Sequence, residues 1–304
     1  MGLKKSKQSS KTSLRKNSHL EICLNQQVES HKSTHIEDFE FIHQALSDSN
    51  FDEIDISTTI LGKKLDVPLI AAAMSGGHPK TSQVNELIAT TAHKFNFAMG
   101  VGSQRAAIEK NETAVTDSFR IVRQIAPGIL LIGNLGAAQF SEYSNFGEQE
   151  ILKAVELIKA DAFAIHVNLL QEIIQPEGDQ HFKGFFKKLN NIAKNFNIPI
   201  ILKEVGSGFS KEDAKLVQNS SFAGIDIGGL GGTSWAGVET IRAEQIGNRL
   251  IKEVGNIFWD WGIPTAISVV EVRSVMDKVL IATGGVRNGL QAAKLIALGA
   301  NIVG

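Results

Sequence analysis

At 304 residues, with 43% hydrophobic and 21% charged side chains and mean hydropathy of −0.01, the chain can bury a large core, and disorder over its bulk is excluded. A formal net charge of −1 leaves no global field to draw in nucleic acid or an anionic membrane, so an anionic ligand must be held by local groups. One cysteine, Cys23, permits no intrachain disulfide, and no signal-peptide core or apolar run of membrane-spanning length is present; the expectation is a cytoplasmic protein.

Residues 1–14 open with a Lys/Ser/Gln-rich stretch that has too little apolar surface to repay ordering, and read as a disordered tail. Residues 15–67 form an N-terminal extension, and 68–304 the main domain. Within that domain short apolar runs alternate with stretches of helical periodicity. The runs are 69–73, 97–101, 129–132, 162–165, 199–202, 223–227, 279–282 and 301–303. Apolar runs joined by helical crossovers predict parallel strands buried on both faces, here an α/β (β/α)8 barrel. A ninth run, Ile263 to Ser268, is assigned to a helix because Pro264 suits a first turn and the later apolar residues fit a 3.6 period. The doubly wound open sheet is the rival fold, but no G-x-G-x-x-G follows the first strand. The chain ends directly after the eighth run, so the final helix of the barrel is expected to be absent from it.

Active sites of such barrels lie at the C-terminal ends of the strands, and nearly every run here ends in reactive or glycine-rich sequence. The glycine turn of Gly284-Gly285-Val286-Arg287 ahead of a helix suits a phosphate, although a tight turn alone would also need glycine. Gly228 to Gly232 reads as a loop passing close to a ligand, with Thr233 offering a hydroxyl. Lys203 ends the fifth run and aims a cation at the mouth. His166 and Asn168, two apart on a strand end, face one side, followed by Gln171 and Glu172, and this set suits a diphosphate with Glu172 as a hard oxygen ligand for Mg2+. Arg15, Lys16 and His19 add three potential cations.

Taken together, Arg15-Lys16-x-x-His19, Met74-Ser75-Gly76-Gly77, Gly102-Ser103-Gln104-Arg105, the His166 to Asp179 run, Gly228 to Trp235 and Gly284 to Arg287 resemble the type 2 isopentenyl diphosphate isomerases. The resemblance implies a reduced FMN, loaded by NADPH, that acts as the acid/base group in moving a double bond. It implies that Ala73, Met74, Ser75, Ser103, Asn134, Lys203, Thr233, Gly285 and Arg287 hold the flavin. Arg15, Lys16, His19, Ser103, Gln104, Arg105, His166, Asn168 and Gln171 would hold the substrate, with His166 and Gln171 catalytic and Glu172 on Mg2+. It also implies a homo-oligomer, a tetramer or octamer. Ser75 stands where the family more usually has Thr, which keeps the hydroxyl. The alternatives are an FMN-dependent oxidoreductase of the hydroxy-acid oxidase or glutamate synthase type, and a non-catalytic flavin-binding truncated barrel.

Overall fold

The computed structural model describes residues 15–16, 18–78, 80–110 and 112–304; the expected tail at 1–14 lies outside them. Residues 18–25 form helix α1. A hairpin follows, β1 (Thr58–Ile60) and β2 (Lys63–Leu65), paired antiparallel. Its two turn residues, Leu61 (φ 49°) and Gly62 (φ 78°), both sit in the left-handed region, as a two-residue turn matched to strand twist requires.

Eight parallel strands then make one sheet: β3 (Ile70–Ala71), β4 (Ala98–Gly100), β5 (Leu131–Gly136), β6 (Ala162–Val167), β7 (Ile200–Glu204), β8 (Gly224–Asp226), β9 (Val279–Ala282) and β10 (Ile302–Val303). Neighbours follow chain order, and the ends of the sheet meet through a parallel bridge from Leu69 to Val303, where the Val303 N–H donates to the Pro68 carbonyl at 3.0 Å. Each of the eight apolar runs thus carries one strand of the barrel.

Helices between strands cover the outside: α2 (Lys80–Phe95), α3 (Arg105–Lys110), α4 (Thr113–Ile125), α5 (Glu148–Ile158), α6 (Leu169–Ile174), α7 (Phe185–Asn195), α8 (Lys211–Gln218), α9 (Trp235–Gln245), α10 (Arg249–Ile257), α11 (Thr265–Arg273) and α12 (Gly289–Ala297). The ninth apolar run is helical only from Thr265 on: Pro264 stands before α11 and not in its first turn, in a parallel bridge to Leu230, with its carbonyl accepting from the Ser268 N–H at 2.9 Å. That helix stops at Arg273, short of Val275 and Met276.

The bottom of the barrel is plugged by the hairpin: buried Ile60 and Leu65 pack with Leu130, Ala162, Ile201, Ile281 and Ile302. Burial of this apolar layer, at about 25 cal/mol per Å², is what the hairpin contributes. Among the described residues, the polar strand termini gather at the other end of the axis, the mouth.

Strand register sets the site. Gly136 pairs with His166, His166 with Lys203, and Lys203 with Asp226, so these residues form one tier across β5 to β8. Partners in register project to the same face. The next tier, Val167 with Glu204, projects the opposite way.

Candidate active site

Three ionisable side chains of that tier meet at close range. The Lys203 ammonium lies 2.7 Å from Asp226 Oδ2, both almost fully buried, and the Thr283 hydroxyl donates to Asp226 Oδ1. A cation this deep needs such a partner, since an unpaired buried charge is prohibitive. Lys203 is therefore not a free ammonium at the mouth but one half of an ion pair. Beside it, His166 Nδ1 lies 2.8 Å from Asn134 Oδ1. Burial, helped by Lys203, Lys16 and Arg15, lowers the His166 pKa to about 4, so the ring is neutral at physiological pH. With Nδ1–H donating to Asn134, the other ring nitrogen is left as an acceptor.

The second cluster stands on α6 and α9. Asn168 Nδ2 donates to Gln171 Oε1 (3.2 Å) and Glu172 Oε1 (3.1 Å), while Gln171 Nε2 donates to Glu239 Oε1 (3.2 Å). Glu239, fully buried, also lies 2.8 Å from His19 Nε2 and 2.5 Å from Arg242 Nη1. The Gln175 amide, oriented to satisfy both ends, donates to Glu239 (3.2 Å) and accepts from Arg15 Nη1 (2.9 Å). Burial raises the Glu239 carboxyl, but His19, Arg242 and Gln171 outweigh it, and the net direction is down; it is the anionic hub of the cluster. Trp235, one helical turn before Glu239, meets His19 edge-on at 5.3 Å between ring centroids.

The extension supplies the cations. Lys16 Nζ donates to the carbonyls of Gly76 (2.9 Å) and Ser103 (3.0 Å), and loss of water plus the adjacent Arg15 guanidinium bring its pKa down to about 7. Desolvation also lowers Arg15, opposed by Glu172 and Glu177.

Other expected residues divide. Ser103 reaches the cluster by its carbonyl, and half-buried Ala73 packs over Gly100. Met74 is 54% exposed at the rim. The Ser75 hydroxyl, matching the family's Thr in chemistry, donates to Asn85 Oδ1, and Asn85 Nδ2 donates to the Ser118 carbonyl at 2.7 Å. Gln104 is fully buried, with Nε2 donating to the Ala154 carbonyl (2.8 Å) and Oε1 accepting from the Asn134 N–H (3.0 Å). Its amide is consumed in the barrel wall, where it fixes Asn134. Arg105 pairs with Glu109 one turn on, at 2.9 Å. Arg287 pairs with Glu29 of the extension, and Thr233 bridges the same Glu29 through the backbone.

Gly284 (φ 114°) and Gly285 (φ 70°) occupy backbone that other residues rarely adopt, and a Cβ on Gly285 would fall 2.3 Å from the Gly231 carbonyl oxygen. The turn thus needs glycine for its own geometry. Helix α12 begins only at Gly289, capped by Asn288 Oδ1 accepting from the Gln291 N–H at 2.9 Å. The glycines lie before the helix N-terminus and not on it.

Sequence reasoning missed Asp226, Glu239 and Arg242. Asp226 carried a signal, a charge inside an otherwise apolar strand, which demands a buried partner. Glu239 carried a weaker one, its place one helical turn after Trp235.

Among the described residues no group of three or more His, Cys, Asp or Glu could hold a metal. One acceptor is nonetheless unspent: Asn168 Oδ1 is buried without a partner in the described structure, and it belongs to the side chain bound to Glu172. The atom facing Glu172 is the Asn168 amide nitrogen, so Oδ1 and the carboxylate are separate hard oxygens, each of a kind that suits a cation completing its shell from ligand oxygens. For a flavin, the glycine-lined loops at the mouth and the buried cation Lys203 are a fitting donor set. Among the described residues no helix is long and apolar enough to cross a membrane.

No family model matches the chain. Among solved structures, a mandelate oxidase variant with a monooxide FMN adduct superposes with a TM-score of 0.53 at 14% identity, covering 89% of this chain and 74% of that one. A flavocytochrome b2 variant with pyruvate bound gives 0.60 at 18% identity, covering 89% and 64%. The class is thus the (β/α)8 barrel whose fold is shared with these flavoenzymes. Sequence narrows it further. Isopentenyl-diphosphate delta-isomerases of Methanococcoides burtonii (48% identical over 290 residues), Methanococcus maripaludis (49% over 295) and Thermococcus kodakarensis (48% over 300) align with 95%, 95% and 96% of this chain and 78%, 81% and 78% of their own lengths. The chain belongs to the isopentenyl-diphosphate delta-isomerase family, type 2.

Proposed function

We propose that the protein interconverts isopentenyl and dimethylallyl diphosphate without net redox change, using reduced FMN at the barrel mouth. The observation that carries this reading is the convergence of Arg15 and Lys16, neutral His166 and the Asn168–Gln171–Glu239 chain at one end of the barrel.

Arg15, Lys16 and His19 bind the diphosphate, whose charge offsets the mutual repulsion that weakens Lys16. The same charge would raise the His166 pKa by cancelling the cations that now depress it, so that the ring can donate to a phosphate oxygen. Glu172 would hold Mg2+, which would supply positive charge to the diphosphate, with Asn168 Oδ1 as a further unspent hard oxygen in the cluster. Gln171, oriented by Glu239, holds its amide at the prenyl end and positions or relays a proton. Trp235 and His19 give that end an aromatic wall. Lys203, Asn134, Ala73, Met74, Ser75, Ser103, Thr233, Gly285 and Arg287 hold the flavin. When bound and reduced, by NADPH, the flavin supplies an acid/base group able to protonate an unactivated alkene, which side chains of ordinary pKa do poorly. Arg287 must then leave or share Glu29. The setting is the cytoplasm and the working form a homo-oligomer.

The test is an anaerobic assay with prereduced FMN that counts dimethylallyl diphosphate formed per NADPH oxidised. Many turnovers per NADPH are expected, because the alkene shift neither gains nor loses electrons. A ratio near one would overturn the isomerase reading in favour of an oxidoreductase.

A further inference from the structure

Glu204 ends β7 immediately after Lys203, and its side chain folds back onto the chain that follows. Its Oε2 accepts from four consecutive backbone N–H groups: Val205 (2.7 Å), Gly206 (2.7 Å), Ser207 (2.5 Å) and Gly208 (3.2 Å). Converging N–H groups of this kind form an anion nest. Here the strand's own carboxylate fills it. Backbone donors away from water need partners, so one oxygen satisfies a whole turn. Loss of water pushes the Glu204 carboxyl up to about 7, with the four N–H groups pulling the other way.

That turn is a wall of the site. Gly206 and Ser207 line one pocket with Asn168, Gln171 and Trp235. The Ser207 carbonyl accepts from the Ile263 N–H at 2.9 Å, and Gly208 N–H also donates to the Gly228 carbonyl at 3.1 Å, which ties the turn to the glycine loop leading to Thr233. A Cβ on Gly206 would sit 3.3 Å from the Thr233 carbonyl.

We propose that Glu204 is a positioning residue: through the backbone of residues 205–208 it fixes the wall that faces Gln171 and borders Thr233. Its catalytic consequence rests on the isomerase reading above.

The experiment compares wild type, Glu204→Ala and Glu204→Gln as FMN-loaded, prereduced protein, by turnover and by amide hydrogen exchange of residues 205–208. A wall displaced by about 1 Å can cost a hundredfold in rate. Glu204→Ala is expected to lose about that factor in kcat while KM for isopentenyl diphosphate stays within about threefold, because the diphosphate contacts lie elsewhere. Exchange of the four amides accelerates with it. Glu204→Gln, which keeps one acceptor oxygen in place, is expected to restore most of the rate and the protection. Wild-type kcat in Glu204→Ala, or a loss in Glu204→Gln equal to that in Glu204→Ala, would overturn the proposal. Should Glu204→Ala not fold, wild-type exchange decides: amides 205–208 exchanging as freely as an exposed loop would refute the nest. Absence of turnover in wild type would count against the isomerase reading alone, because the exchange measurement still reports on Glu204.

Discussion

Burial and the Arg15 guanidinium bring the Lys16 ammonium down to about 7, so this cation titrates inside the physiological range. The sign follows from linkage. Below pH 7 the free protein already carries the proton, and an anion binds without a protonation step. Above pH 7 the proton must be taken up on binding, and affinity falls by about tenfold per pH unit until the pKa of the bound form is passed. We therefore expect the dissociation constant for inorganic diphosphate, measured by calorimetry in buffers from pH 6 to 9, to rise above neutrality. Lys16→Met should bind more weakly at pH 6 and lose that component of the slope. An identical pH dependence in wild type and Lys16→Met would show that Lys16 does not bind the anion. His166 behaves otherwise: with its pKa near 4 it stays neutral across this window, and only a bound anion can recruit its charge.

Glycines of one loop and the next element have opposite tasks. Gly285 lies at φ 70° with the Gly231 backbone in the way of any Cβ, whereas a Cβ on Gly289, in the first turn of α12, meets nothing within 4 Å. Gly285→Ala should therefore cost about 1–3 kcal/mol in thermal unfolding and weaken FMN binding measured by flavin fluorescence. Gly289→Ala should be neutral or stabilise by up to about 1 kcal/mol. Equal melting temperatures for the two variants would refute this steric account. The same contrast between backbone and side-chain demands explains what was legible in the sequence. All eight strands show as apolar runs because both of their faces are buried, yet β5 continues through Gly133-Asn134-Leu135-Gly136, where glycines break the pattern while pairing with β6 continues. Strand-end residues such as His166 and Asn134 could be located because a barrel places its chemistry there. Glu239 was only weakly legible, because a mid-helix glutamate is usually solvated, and its partners Gln171 and His19 are far away in sequence. The packing of Gln104 was hidden for the converse reason: a polar residue at a strand end reads as solvent-facing, and only the fold reveals that Ala154 and Asn134 take up its amide.

On the scale of the molecule, the extension is a strap across the mouth that holds α1 on the barrel. Residues 29–35 are polar and carry no periodicity, yet with Val28 and Ile36 buried at either side they interlock with the loops above β8. Ser30 N–H donates to the Gly232 carbonyl (2.8 Å), Ser234 N–H to the Val28 carbonyl (2.7 Å), Ala266 N–H to the Thr34 carbonyl (3.0 Å), and Trp259 Nε1 to the Glu29 carbonyl (3.0 Å). Asp260 gathers three more: Ser30 Oγ (2.9 Å), the His31 N–H (2.8 Å) and His31 Nδ1 (2.9 Å). Upstream of the strap, α1 is pinned by Ile22 and Val28 against Val238, and Arg15, Lys16 and His19 lie at or before its start. Opening the strap should therefore release Arg15, Lys16 and His19, the cations proposed to hold the diphosphate, while leaving the barrel intact. Asp260→Ala removes an acceptor whose bonds are charge-assisted, each worth about 1.5–3 kcal/mol at most, and His31 is exposed enough for water to replace part of the loss. A net cost of about 1.4 kcal/mol corresponds to tenfold more frequent local opening. The expected result is faster amide exchange at Ser30 and Ser234, KM for isopentenyl diphosphate raised by up to about tenfold, and kcat and the melting temperature close to wild type. Faster exchange with an unchanged KM would mean that α1 docks through Ile22 without help from the strap. A matching fall in kcat would mean that the strap also shapes the reacting end, through the contact of His19 with Glu239.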